Sequence, residues 1–310
     1  MSPSDSAPGS TWGLYWRMVR PGFLSITAVA CLLGMASAAA CGCGFDTPKA
    51  LATLALALMA HAGANVLNDY HDARSGADAA NTQGLYPFTG GSRLIQGGLV
   101  SVTETRSWAW TLLLLSMLGG MLLAVRTDGG LLLIGAAGLA LAWAYSAPPL
   151  QLMSRGLGEV TVAACWWLVV VGADYVQRQQ FFVIPAYVGA SFAVMIATIL
   201  LINGVPDRET DRAVGKHTLA TRLSNRGVAL LHLVLVLLAH GWLAVGVLSL
   251  VPPAPTLWAF ISLPPAVWAS RLLWHHGDQR TPLKRAIVLT LVAAHLHGLG
   301  LIMGLVLPHL

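Results

Sequence analysis

The chain has 310 residues, of which 56% are hydrophobic and only 10% charged, with a mean hydropathy of +0.68 and a net charge of +5. Soluble domains carry about 25% charged residues, so this composition excludes a soluble enzyme and describes an integral membrane protein. The excess of base reads as membrane topology and contact with anionic lipid, and no nucleic acid is expected as a partner.

The first twenty residues end in "TWGLYWRMVR". This stretch is long and aromatic for a signal peptide, although Ala36-Ser37-Ala38 resembles a cleavage site, and it is expected to be retained. With Trp12, Tyr15 and Trp16, residues 1–20 read as an amphipathic interfacial segment leading into a single domain over 1–310. Apolar runs then occur near 22–41, 48–67, 107–126, 129–145, 158–175, 181–202, 227–250, 255–273 and 284–307. Each approaches the roughly 20 residues that a bilayer requires. The runs are continuously apolar rather than alternating, which excludes a closed β-barrel. The expected fold class is all-α, a polytopic membrane protein of about nine transmembrane helices.

With the N-terminus inside, fifteen of the eighteen Lys and Arg fall on the cytoplasmic side, and only Lys49, Arg126 and Arg178 on the other. That asymmetry sets the expected orientation. Eight of the thirteen acids also gather in the cytoplasmic loops after spans 2, 4 and 6. Of the four cysteines, Cys31 and Cys165 read as small core residues, and Cys41-Gly-Cys43 lacks metal-site spacing, so no disulfide framework is expected.

The second span runs into "ANVLNDYHDARSGAD". Continued as a helix, it places His61, Asn65, Asn68 and Asp72 on one stripe, with Asp69 about 100° to the side. The sixth span ends in "LINGVPDRETDRAVGKHTLATRL", where Asn203, Asp207 and Asp211 are spaced four apart. Pro206 predicts a kink or a fresh helix start there. A single acidic helix end needs no more than solvation. Two on one face, each where the helix dipole is already negative, repel unless a hard divalent cation lies between them. Magnesium suits a few carboxylates completed by water and phosphate. The metal candidates are therefore Asn68, Asp69, Asp72, Asn203, Asp207 and Asp211, with Asp72, Asp207 and Asp211 as the catalytic set. Basic donors nearby, Arg74, Arg93, Arg212 and Lys216, suit a diphosphate.

"PFTGGSRLIQGG" belongs to a long loop over residues 78–100 that reads as a lid, and "SVTE" at 101–104 is a capping box opening span 3. "YSAPPLQLMSRGLGE" at 145–159 offers Tyr145 and Arg155 as a third wall, or simply an interfacial turn with an Arg155–Glu159 ion pair. His61 reads first as a bonded packing histidine, and Trp108, Trp110, Trp166 and Trp167 as interfacial anchors. His295 and His297 lie on different helix sides, and His275-His276 at a solvated span end.

The segments "NDYHDARSGAD" and "DRETDRAVGKHTLATRL", with "GGSRLIQGGLVS", "YSAPPLQL" and "RGLGE", resemble the UbiA superfamily of intramembrane prenyltransferases. The resemblance covers nearly the whole chain, and the spacing Asp72, Gly76, Asp78 is most like its menaquinone branch. Gln151 departs from it, standing where relatives carry lysine. The resemblance implies helices around a central cavity open to the cytoplasmic side, in a bacterial inner membrane. It implies Mg²⁺ as cofactor and transfer from a polyprenyl diphosphate to an aromatic acceptor, expected to be 1,4-dihydroxy-2-naphthoate. Arg20, His61, Asn65, Tyr145 and Arg155 are then the acceptor-pocket candidates, and no obligate protein partner is implied. Alternatives are another acceptor (4-hydroxybenzoate or a secondary metabolite), a CDP-alcohol phosphotransferase, whose acids form one contiguous motif, or a secondary transporter, whose acids lie near mid-membrane.

Overall fold

The computed structural model describes residues 11–76, 78, 81 and 84–307. Among them the secondary structure is helical throughout. A short helix, α1 (Thr11–Met18), leaves Trp12 and Trp16 exposed and buries Met18. It is followed by α2 (Pro21–Ala40), α3 (Thr47–Ser75), α4 (Val102–Ala124) and α5 (Gly130–Ser146). Then come α6 (Gly158–Arg178), α7 (Val183–Ala213), the single turn α8 (Leu219–Arg222), α9 (Asn225–Leu248), α10 (Leu263–His276) and α11 (Arg280–Val306).

Local sequence explains most boundaries. Asp46 caps α3 by accepting the Lys49 N–H at 3.0 Å, and Gly76 ends it in the left-handed region at φ 79°. Ser101 and Glu104 form the expected capping box of α4. Seven helices are long and apolar enough to cross a membrane: α2, α3, α4, α6, α7, α9 and α11. The apolar run at 129–145 becomes α5, with 17 residues.

Three expectations change. The eighth run, 255–273, is not one helix: Ala254–Ser262 forms 3₁₀ turns and α10 begins only at Leu263. Pro264 and Pro265 lack backbone donors, so the helix must restart with them in its first turn. The 3₁₀ segment instead lies flat on α11, where a Cβ on Gly300 would come 2.6 Å from Ala259 Cα and one on Gly304 would come 2.4 Å from Pro255. Second, α7 continues through Pro206 and makes no fresh start there. One helical hydrogen bond is lost there, while Leu201 and Ile202 just before it are fully buried and hold the helix in place. Third, Cys41 and Cys43 pair as a disulfide in the turn after α2.

The main core gathers Leu33 of α2, Val170 of α6, Phe192 and Met195 of α7, Leu243 of α9 and Leu301 of α11. That packing leaves α3, α4 and α5 to close a space against α2, α6 and α7. At 1.5 Å per residue, α3 and α7 measure about 44 and 46 Å, against a hydrocarbon layer of about 30 Å. Their last turns therefore extend past the apolar runs, and those turns carry the two acidic motifs.

Candidate active site

A cavity of about 730 Å³ lies between α2, α3, α4, α5, α6 and α7. His61, Asn65, Asn68 and Asp72 of α3 all line it, as do Asn203, Asp207 and Asp211 of α7. The helical stripes read from the sequence are thus the stripes that face the space. Because α7 does not restart at Pro206, its three polar residues stay in line.

The acids meet at one end. Lys216, just past α7, places Nζ 2.6 Å from Asp72 Oδ1 and 3.5 Å from Asp211 Oδ1, so one ammonium bridges the two motifs. Burial lowers the Lys216 pKa, but Asp72 and Asp211 outweigh it and hold the group above its ordinary value. Asp78 also reaches the cavity, and burial, with Asp72 and Asp69 near, pushes its carboxyl up to about 7.

The glycine-rich loop closes over this end. Asn81 donates to Asp207 Oδ1 at 2.7 Å and accepts the Gly84 N–H at 2.8 Å. Gly91, at φ 72°, packs so closely on Asp78 that a Cβ there would stand 2.5 Å from Asp78 Oδ2. Asp78, Asn81, Gly90 and Gly91 were not among the site residues expected from the sequence. Their signal was the acid and the paired glycines inside a long loop, but spacing alone does not say which way a loop folds.

Arg20 and Tyr145 line the cavity as expected. Asn65 does too, while its Nδ2 donates to Val19 O at 3.1 Å. Other expected residues turn elsewhere. Asp69, expected as a metal ligand, is 2% exposed, ion-pairs with Arg20 and accepts the Ser92 N–H at 3.1 Å. Its 100° offset on the helix carries it off the cavity face. Arg74 stacks on Tyr70 of its own helix. Arg93 donates to the Asn81 carbonyl and so braces the loop from behind. Arg212 donates to Thr221 O, fixing the turn into α8. Arg155 donates to Pro149 O at 2.8 Å, whereas Glu159, its expected ion-pair partner, lines the cavity. Long basic side chains near several carbonyls saturate locally, a competition the sequence does not display.

Trp166 also departs from expectation. It lines the cavity rather than anchoring an interface, while Trp167 donates to Ala186 O at 2.8 Å. Trp108 packs on Tyr15 of α1 with ring centroids 5.1 Å apart.

The donor set suits a divalent cation. Four aspartates, Asp72, Asp78, Asp207 and Asp211, line the same cavity as Glu159, and the Lys216 ammonium sits between Asp72 and Asp211. Asn203 Oδ1 is buried with no hydrogen-bond partner, a neutral oxygen in search of a cation or a donor. Among the described residues no three His, Cys, Asp or Glu side chains form a ready-made metal cage.

The comparisons agree with this architecture. Over 250 residues the chain is 29% identical to 1,4-dihydroxy-2-naphthoate octaprenyltransferase of Mycobacterium leprae, covering 79% of this chain and 81% of that one. Its fold matches a digeranylgeranylglyceryl phosphate synthase structure at TM-score 0.65 and 15% identity, over 95% of this chain and 98% of the other. It also matches a UbiA homolog from Archaeoglobus fulgidus bound to DMAPP and Mg²⁺ at TM-score 0.54 and 17% identity, over 93% and 98%. Residues 20–296 match the UbiA prenyltransferase family, and the chain, a helical membrane protein with both acidic motifs on one cavity, belongs to that family.

Proposed function

We propose that this protein transfers a prenyl group from a polyprenyl diphosphate to 1,4-dihydroxy-2-naphthoate, in menaquinone biosynthesis and with Mg²⁺ as cofactor. The observation that carries the reading is one cavity, acidic at one end and apolar along the rest, in a family member whose relatives include named naphthoate prenyltransferases.

Asp72, Asp78, Asp207 and Asp211 would hold the metal, with Asn68 and Asn203 supplying or orienting neutral ligands. The ion, when bound, neutralises charge on the departing diphosphate. Lys216 adds a cation on the same side and steadies the leaving group electrostatically. Asn81 keeps Asp207 aimed, and the loop around Gly90 and Gly91 covers the diphosphate. Leu56, Met117 and Leu139 offer the prenyl chain an apolar channel and keep water from the allylic cation. The electron-rich ring carbon bearing the carboxylate attacks that cation. A carbon–carbon bond forms, the bond to the carboxylate breaks as CO₂ leaves, and its electron pair restores the aromatic ring. No base is needed for a ring proton.

The matching topology has nine crossings, α5 and the Ala254–His276 segment adding two to the seven long helices. The N-terminus and the acidic loops face the cytoplasm of a bacterial inner membrane, in a single domain needing no protein partner. The acids at helix ends, rather than at mid-membrane, argue against a transporter.

The test is purified protein with Mg²⁺, an allylic diphosphate and a panel of aromatic acceptors, read by mass spectrometry. Prenylated naphthoquinol with one CO₂ per product is the expected result, lost on chelation. Efficient prenylation of 4-hydroxybenzoate with none on the naphthoate would overturn the acceptor and leave prenyl transfer standing.

A further inference from the structure

Five histidines sit within the apolar runs, and four are engaged at both ring nitrogens. His232 meets Ser270 and Thr290, and His240 meets Val236 O and Ser262. His295 meets Leu291 O and Ser25, and His297 meets Ser191 and Ser262. These are packing histidines, each joined to a neighbouring element through a hydroxyl. His61 differs. Its Nδ1 lies 2.8 Å from the Thr27 hydroxyl, and the Trp166 ring stands against it edge-to-face with centroids 4.9 Å apart. Among the described residues the one hydrogen bond of the ring is that at Nδ1, so Nε2 has no partner there, and both His61 and Trp166 line the cavity.

The position is informative. His61 precedes Asn68 by two turns on one helix, so it lies about 10 Å deeper, in a cavity whose lining includes the apolar Ile26, Ala57, Ala60 and Val162 beside the Thr27 hydroxyl. An imidazole locked on one side and open on the other is a poor wall for an isoprenoid, which leaves the nitrogen unpaired at a cost. A hydroxyl both donates and accepts, so it satisfies Nε2 in either tautomer.

We propose that His61 Nε2 binds a ring hydroxyl of the aromatic acceptor, with Trp166 as the wall along which the acceptor's rings lie and Thr27 as the residue that fixes the imidazole. The inference rests on the aromatic-acceptor reading above. The acceptor then lies along α3, its distal hydroxyl on His61 and its carboxylate toward Arg20 in the cavity wall nearer the acids. This geometry assigns His61 a part in choosing the acceptor rather than in ionising the donor.

The experiment compares two ligands that differ by the distal hydroxyl: 1,4-dihydroxy-2-naphthoate as substrate and 1-hydroxy-2-naphthoate as competitive inhibitor. In His61→Phe the KM for the dihydroxy acid should rise about tenfold or more, the effect of one buried hydrogen bond. The inhibition constant of the monohydroxy acid and the KM for the prenyl diphosphate should both stay within about twofold, by the same reasoning. His61→Gln should restore part of the loss. Thr27→Val, which keeps the imidazole but frees it, should raise the acceptor KM in the same direction and serves if His61→Phe fails to fold. Equal losses for both acids, or a raised donor KM, would overturn the assignment. If the wild-type protein prenylates no aromatic hydroxy acid, the functional reading itself falls; if it does and His61→Phe behaves as wild type, only this subsite falls.

Discussion

Gly91→Ala isolates the coupling between the covering loop and the acid cluster, and Gly98→Ala is its matched control. Both glycines are in the left-handed region, at φ 72° and φ 66°. Alanine there costs about 1–2 kcal/mol at either position. What differs is the space. A Cβ on Gly98 meets nothing within 4 Å, whereas one on Gly91 comes 2.5 Å from Asp78 Oδ2 and 3.0 Å from its Cγ. Real Cβ contacts are not that short, so the Asp78 carboxylate must move away from the metal side of the cavity. Disturbing an oriented metal ligand costs about 10- to 100-fold in metal affinity. The expected outcome is a similar loss of thermal stability for the two variants, with a Mg²⁺ half-saturation raised 10-fold or more (about 10- to 100-fold by the same rule) for Gly91→Ala alone. The assay is prenyl transfer against Mg²⁺ concentration, with melting followed in detergent. Equal Mg²⁺ dependence in both variants would refute the role given to Asp78 and to the loop contact.

Lys216→Met removes the ammonium shared by Asp72 and Asp211 and leaves two largely buried carboxylates without it. Breaking such a buried pair costs about 3–5 kcal/mol, so melting without Mg²⁺ should fall clearly and recover as Mg²⁺ is added, while the donor KM rises; a melting loss that Mg²⁺ does not reverse would separate Lys216 from the metal site. In a background lacking the native cysteines, Leu99→Cys, exposed on the covering loop, should be labelled only from the cytoplasmic side and Ala254→Cys only from outside; the reverse pattern would invert the topology.

Local physics written in the sequence was enough for much of this protein. Apolar runs close to bilayer length, and too poor in charge to live in water, required membrane helices, and the 15-to-3 placement of Lys and Arg argued their orientation. The helical period put His61, Asn65, Asn68 and Asp72 on one stripe and Asn203, Asp207 and Asp211 on another, and both stripes face the cavity because a 3.6-residue repeat is a property of the helix alone. "SVTE" capped α4 for the same local reason. The prolines at 264 and 265 carried the break before α10, a signal present in the sequence but outweighed there by hydropathy. What tertiary structure decided was which partner each polar group takes. Asp69 differs from Asn68 by one position, yet it meets Arg20 and Ser92 across the bundle and leaves the cavity to its neighbour. Arg93, Arg155 and Arg212 find carbonyls before they find a ligand, while Asp78 and Asn81 are brought to the acids by a loop whose path depends on the helices it covers. Trp166 reads as an interfacial anchor until α3 sets His61 against it. Helix period is fixed by neighbours three and four residues away, but the pairing of a buried charge is fixed by whatever the fold places within a few ångströms, often from a hundred residues distant, as Lys216 is from Asp72.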